Sequence, residues 1–429
     1  MDNINTVPAF FRSADIPDYD CGDGVIMKTY RSSSKEEFDS YIEKLSSAGF
    51  SLYDKQIREN NYFYVYVSGK TKVFASFCEC DKTVRIIIDN YTLLPSKNPV
   101  SGKKVTDTVL YQFETDHSLI DCGMCYIVKC SDGSFFIIDS AHMYSVNDND
   151  RIHDFLRSIN GSRDKIHIAG WFFSHGHTDH ICKFMDFLKY NMSDCVIDGI
   201  YYNFVAPGHK DEGEWEESER AVRINFASLL KEHPEIKKYK LHSGQHFYIN
   251  ELEFYVLATH EDVYPNSMSN FNDTSTALMM TYEGTRVSFP GDGGRMISDV
   301  MTSRYSDELK CDIMQVSHHG HMGCRTEFYE KSGAKTALFP NTRIKLDEEN
   351  EKLEENRRII ELADRYYVSS EGTVGLPLPY KAGSEIVYPD ETTENFDGIF
   401  ALWGYEYTDE FKADVLKKFL SRKKWRECT

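Results

Sequence analysis

The run His175-Gly176-His177-Thr178-Asp179-His180 puts four metal-binding side chains within six residues. Imidazole and carboxylate are the donors that borderline divalent cations take. In an extended chain residues two apart point the same way, so His175 and His177 can converge on one ion. Asp179 and His180 come just before a helix expected over 181–189. They are adjacent but splayed, which suits a second ion beside the first. The bland alternative is a cluster of inert surface histidines. For a chain of this histidine content a chance His-x-His-x-Asp-His is on the order of one in a thousand, which makes that alternative poor.

Two further stretches can meet this run. Ser288-Phe289-Pro290-Gly291-Asp292-Gly293-Gly294 sets a carboxylate at the end of a strand, in a glycine-rich turn that lets backbone approach a bound group. Met314-Gln315-Val316-Ser317-His318-His319-Gly320 ends another strand in paired histidines. Taken singly, Gly-Asp is a turn and an exposed histidine pair is inert. Three strand ends carrying the same kinds of donor are expected to meet around a common centre. His260, after a strand expected over 254–257, is a further candidate ligand.

The stretch from Thr106 to about Tyr380 resembles the metallo-β-lactamase superfamily. The His-x-His-x-Asp-His run matches that family's motif residue by residue. The resemblance implies an α/β (α+β) fold, an αββα sandwich with the metals at one edge between two sheets. It implies that Asp139 is the early aspartate that orients a ligand histidine from behind. Asp292 then matches the late aspartate bridging both metals, and His318 or His319 the last histidine. "SHHGH", "NDTS" and "SSEGTVGLPLP" look most like the branch of the hydrolase domain of the DNA-uptake protein ComEC and of bacterial phosphorylcholine esterases. There is one departure. Many family members have another ligand histidine about twenty residues before the bridging aspartate, where this chain has Asn272, Asp273, Thr274 and Ser275. His260 is the candidate substitute, or His318 and His319 serve one metal each; otherwise Asn272 and Ser275 support the centre from behind.

The cofactors implied are two divalent ions, zinc first, with manganese or iron also compatible with these donors. The expected activity is hydrolysis by a metal-activated water, with Asp179 and Asp292 in the catalytic machinery, on a phosphoester or other ester bond of a soluble small molecule. Two readings compete. One is an iron-dependent oxidoreductase or dioxygenase of the same fold; the other is a non-catalytic binder that keeps the fold. Diiron oxygen reductases usually carry a carboxylate where His177 stands, and a flavodoxin-like domain; this chain has neither. The intact ligand run argues against the binder.

The elements that must position these residues are legible as pattern. Buried-type strands are expected over 124–128, 135–139, 166–173, 254–257, 277–282, 287–289, 313–316 and 337–339. Helices are expected over 151–158, 181–189, 218–233 and 349–364. Strands interleaved with helices point to a layered α/β domain, assigned to 106–429 with a helical C-terminal tail. Residues 1–100 read as a separate small α+β unit, with a helix over 36–48 and strands over 63–67, 73–78 and 84–88. That unit shows no motif that carries chemistry. Near the C terminus, Lys412, Lys417, Lys418, Arg422, Lys423, Lys424 and Arg426 surround apolar residues, which reads as an amphipathic helix.

Composition limits partners and compartment. The formal net charge is −19, spread along the 429 residues, so long nucleic acids are not favoured as partners. Neither a secretory leader nor an apolar run long enough to span a bilayer is seen, so no membrane is expected. Eleven cysteines without a framework spacing read as reduced core thiols in a cytoplasmic protein, including the pairs Cys78/Cys80 and Cys122/Cys125.

Overall fold

The computed structural model describes residues 7–96, 104–117, 120–145, 147–213 and 216–391. Within them lie three β-sheets, one of six, one of nine and one of seven strands. The basic stretch 412–426 lies outside the described residues.

The nine- and seven-stranded sheets pack face to face. Tyr126, Val128, Phe136, Ile138 and Phe172 from the first meet Phe254, Val256, Leu278, Met280 and Phe289 from the second in one buried cluster. Alternation along each strand sends the other side chains outward, beneath helices. Trp171 and Phe173 pack against Ile152 and Leu156 of the helix Asp148–Ile159 and against Phe184 and Phe187 of Thr178–Tyr190. On the far side, Met279, Met314 and Val316 meet Ile297 and Met301 of Arg295–Arg304 and Phe328 of Thr326–Ser332. The layers are therefore helix, sheet, sheet, helix. Burying one such aromatic or aliphatic side chain stabilises by about 1.5–3 kcal/mol.

The topology brings the ligand-bearing strand ends to one edge. Phe135–Ile138 and Ile166–Phe172 run parallel, with Ile138 beside Phe172. Thr285–Phe289 and Ile313–Gln315 also run parallel, with Ser288 beside Met314. Ala277–Tyr282 runs antiparallel to Thr285–Phe289, so its start lies at the same edge. There the two sheets are joined by a hydrogen bond from Thr276 N to Ser174 O of 2.8 Å.

The six-stranded sheet, first in the chain, has Tyr19–Asp20 at one edge and Ser51–Arg58 at the other. Its helix, Lys35–Ser47, starts in a capping box between Ser34 and Glu37, worth about 1 kcal/mol. Phe38, Tyr41 and Leu45 pack on one face of that sheet. The opposite face holds Met27, Val65, Phe74 and Ile87 and turns toward the sandwich, where the Phe74 ring lies 4.4 Å from that of His242. The strands Ile26–Tyr30 and Ser51–Arg58 were not foreseen in the sequence. Ser51–Arg58 is largely exposed, so it lacks the apolar alternation that marks a half-buried strand. The helix expected over 349–364 is in fact two, Arg343–Asn350 and Glu354–Leu362, parted by a turn in which Lys352 and Leu353 both donate to Glu349 O. The acidic run Asp347, Glu348, Glu349 and Glu351 offers poor support for continuous helix there.

No helix of the described residues is long and apolar enough to cross a membrane.

Candidate metal centre

The strand Ile166–Phe172 delivers Ser174 and His175 to the sandwich edge, and His177 is the N-cap of Thr178–Tyr190. Asp179 and His180 therefore occupy the first turn of that helix. The Glu219 carboxylate secures the turn, accepting from Thr178 N at 2.7 Å and from its hydroxyl at 3.1 Å. Asp292 follows the strand Thr285–Phe289 through Gly291, whose φ is +59°. A Cβ on Gly291 would lie 2.7 Å from Ser174 Cβ, so glycine is what allows the two loops to touch. His318 and His319 follow Ile313–Gln315, both with positive φ, 50° and 56°. Two consecutive left-handed non-glycine residues store strain that the surroundings must hold. Pro340 O holds His319 Nδ1 at 2.9 Å, and Asn341 Nδ2 donates to His319 O at 2.7 Å.

Asp179, His180, Asp292 and His319 converge, each offering a ligand atom within 4.8 Å of the others. His319 Nε2 is 3.0 Å from Asp179 Oδ2 and 3.3 Å from Asp292 Oδ2. His180 Nε2 is 3.2 Å from Asp292 Oδ2 and 3.5 Å from Asp179 Oδ1. Asp139 stands behind, 2.9 Å from His180 Nδ1, and accepts from Ser174 N at 2.8 Å and Ser174 Oγ at 2.9 Å. That contact turns the other ring nitrogen of His180 toward the group. His175 Nε2 faces His177 Nδ1 at 3.0 Å, and the His175 and His180 rings lie 4.2 Å apart.

The electrostatics fit a cation. Burial opposes charge on His180 and His319, yet Asp292 and Asp179 hold His180 well above the usual imidazole range and bring His319 to about 10. Burial likewise opposes charge on Asp179 and Asp292, but the facing imidazoles pull both well below the usual carboxylate range. Burial and the neighbouring His180 and His177 keep His175 neutral, well below its ordinary pKa. One buried carboxylate oxygen of this group, Asp292 Oδ1, has no hydrogen-bond partner. A divalent ion would take the place of the imidazole protons, with the rings of His180 and His319 both neutral and the ion supplying the positive charge that the carboxylates face.

The remaining sequence candidates fall in other places. His318 Nε2 is 2.9 Å from Asn272 Nδ2, and its Nδ1 lies 3.2 Å from Met322 O. Of the histidine pair, His319 therefore joins the carboxylates while His318 is held beside them by Asn272. Ser275 Oγ accepts from Asp292 N at 3.2 Å, fixing the carboxylate's backbone. His260 is not brought into the group. Its Nδ1 lies 2.8 Å from Tyr19 OH of the six-stranded sheet and its Nε2 3.1 Å from Asn203 Oδ1, just past the strand Gly199–Tyr202, so both nitrogens are engaged away from the group.

Some residues near the centre went unremarked in the sequence. Ser174 touches Asp139 and lies 3.1 Å from His175 Nδ1, but a lone serine carries no signal in a sequence. His142 could have been noticed, because it follows Asp139 by three residues; burial depresses it to about 4 despite the pull of Asp179. The core-thiol reading is corrected at Cys80, which is exposed, and at Cys122 and Cys311, which are only partly buried. At Cys122 the residue as a whole is partly exposed, but the sulfur is shielded from water, and that shielding, followed by the nearby Asp179, pushes its thiol well above the ordinary range. Its partner Cys125 is buried as expected.

Two face-to-face sheets between helix layers, with imidazoles and carboxylates at one edge, are the arrangement implied by the resemblance to the metallo-β-lactamase superfamily. No family model and no curated protein matches the chain. Solved structures do. The metallo-β-lactamase fold protein YhfI from Bacillus subtilis is similar over 61% of this chain and 97% of its own, with 10% identity and a TM-score of 0.38. The short form of human tRNase Z is similar over 54% of this chain and 92% of its own, at 9% identity and a TM-score of 0.32. CmlA, a diiron β-hydroxylase from Streptomyces venezuelae, is similar over 61% of this chain and 44% of its own, at 10% identity and a TM-score of 0.30.

Proposed function

We propose that this chain is a metal-dependent hydrolase that cleaves phosphoester or other ester bonds of small soluble molecules, with zinc as the metal. The observation that carries this reading is the meeting of Asp179, His180, Asp292 and His319 from three separate strand ends within 4.8 Å. These four residues would hold one ion. His175 and His177, whose ring nitrogens face each other at 3.0 Å, would hold a second.

Ions bound there supply Lewis acidity and bring a water's pKa toward neutrality, so that a nucleophile exists at physiological pH. The protein's own part is orientation. Asp139 and Pro340 O fix the rings of His180 and His319 from behind, so the donors are placed before substrate arrives. Asp292 Oδ1, buried and without a hydrogen-bond partner, is left to face an ion rather than a protein donor. Asp179, 3.0 Å from His319 Nε2, restrains that imidazole from the opposite side. Burial of the group excludes bulk water and strengthens each of these interactions.

The stretches around His318, Asn272 and Gly372, with their likeness to phosphoester-cleaving proteins, favour phosphodiesters within this class. The test is a panel of chromogenic phosphomonoesters, phosphodiesters and thioesters assayed with zinc, manganese and iron. Oxygen consumption is followed in parallel. Phosphodiester turnover that Asp292→Ala abolishes, while the fold persists by circular dichroism, supports the reading. Oxygen uptake without hydrolysis, or full activity in Asp292→Ala, overturns it.

A further inference from the structure

A second group of metal donors lies at the other end of the sandwich. His153 comes from the helix Asp148–Ile159, Asp194 from the short turn Met192–Asp194, and Cys195 opens the strand Cys195–Ile197. Their ligand atoms lie within 4.8 Å of one another. Cys195 pairs with Ile166, at the start of the strand whose far end delivers Ser174 and His175. At the rise of a β-strand the two groups are about 20 Å apart.

We propose that His153, Asp194 and Cys195 form a separate site for a thiophilic divalent cation of the zinc class. The donor set is one imidazole nitrogen, one carboxylate and one sulfur, a combination suited to zinc and unsuited to magnesium or calcium. His153 Nε2 lies 2.8 Å from Asp194 Oδ1, and Cys195 Sγ lies 3.6 Å from the same oxygen. Spacings of about 3–4 Å between donors are those of a tetrahedral shell with bonds of roughly 2.0–2.3 Å. The exposed Asp154 carboxylate, 3.4 Å from His153 Nδ1, backs the imidazole on its far side. Cys195 is buried, which raises its thiol to about 11, so ion binding displaces the thiol proton to solvent.

Arg157 competes for this position, since its NH2 pairs with Asp194. It has other anchors, however, because its NH1 donates to Arg163 O and Asp164 O, each at 3.2 Å. The guanidinium can release Asp194 and stay in place. A bound ion would tie the outer helix to the turn and strand beneath it.

The experiment uses the full chain carrying Asp292→Ala and His319→Ala, so that the first group is disabled, and titrates it with cobalt(II). A near-ultraviolet thiolate-to-cobalt band that saturates at one equivalent is expected. Cys195→Ser should remove it. His153→Ala should weaken binding about tenfold or more, and Arg157→Gln should tighten it by taking away the competing cation. In the parent chain, where no substitution can disturb folding, zinc should slow alkylation of Cys195 as read by peptide mass mapping. A missing band, one that survives Cys195→Ser, or alkylation of Cys195 at the same rate with and without zinc overturns the proposal.

Discussion

The Asp139 carboxylate lies 2.9 Å from His180 Nδ1, while His180 Nε2 faces Asp292 Oδ2 at 3.2 Å, so one imidazole links a buried carboxylate at one strand end to another across the two sheets. Asp139 also takes two hydrogen bonds from Ser174, and Trp171 Nε1 donates to Asp139 O at 3.0 Å. Its orientation is therefore over-determined. Asp139→Asn should keep the fold and lower metal affinity about 10–100-fold. Competition with a chromogenic chelator reads the loss, and unchanged affinity removes Asp139 from this role.

The two neighbouring histidines should behave differently. His319 meets both Asp179 and Asp292, whereas His318 is held by Asn272 and Met322 O. His319→Ala should cut retained metal and lower turnover at least about 100-fold, as loss of a group acting directly on the reacting centre does. His318→Ala should retain the ion bound by the four-residue group. Metal content after gel filtration distinguishes the two variants.

Gly291→Ala tests the close approach of the loops. The new Cβ would meet Ser174 Cβ at 2.7 Å, on a backbone with φ of +59°. Strain and overpacking together should cost about 2–4 kcal/mol, seen as a lower urea midpoint, with metal loading impaired because Asp292 is the next residue.

His260→Ala should leave metal content unchanged. Removing its ring leaves Asn203 Oδ1 without that partner and opens the buried contact beside Tyr19, whose OH keeps His209 Nε2 at 3.2 Å; the change should cost about 1–3 kcal/mol. A fall in bound metal equal to that of His319→Ala would place His260 in the centre instead.

The buried contact of His242 with Asp89 and Glu261 should make stability fall in alkali. Burial disfavours the charged ring, but Glu261 and Asp89 raise its pKa from 6.5 to about 9. A folded pKa above the unfolded one means this stabilisation is complete below pH ~6.5 and is lost as pH rises through ~9. The difference is on the order of 3 kcal/mol. Urea midpoints of the parent chain measured from pH 6 to pH 9.5 should fall more steeply than those of His242→Gln; equal slopes would discount the contact.

Much of the sandwich was legible because its strands are buried on both faces and read as apolar runs bounded by turns. The run from His175 to His180 stood out because four donors in six residues exceed what a surface produces by chance. The edge strand Ser51–Arg58 and the break between Arg343–Asn350 and Glu354–Leu362 did not, since exposure and a charged run leave no periodicity to follow.

Local chemistry along the chain was enough to determine the donor types, the strand ends that carry them and the α/β layering, because each depends on neighbours within a few residues. Which donors meet was decided by the tertiary structure alone. His319 rather than His318 reaches Asp179 because two left-handed residues turn the chain between them, held by Pro340 and Asn341 from a distant loop. His260 is drawn away from the centre by Tyr19, 241 residues earlier. Contacts between side chains so far apart in sequence arise from packing and register, and no pattern local to either residue encodes them.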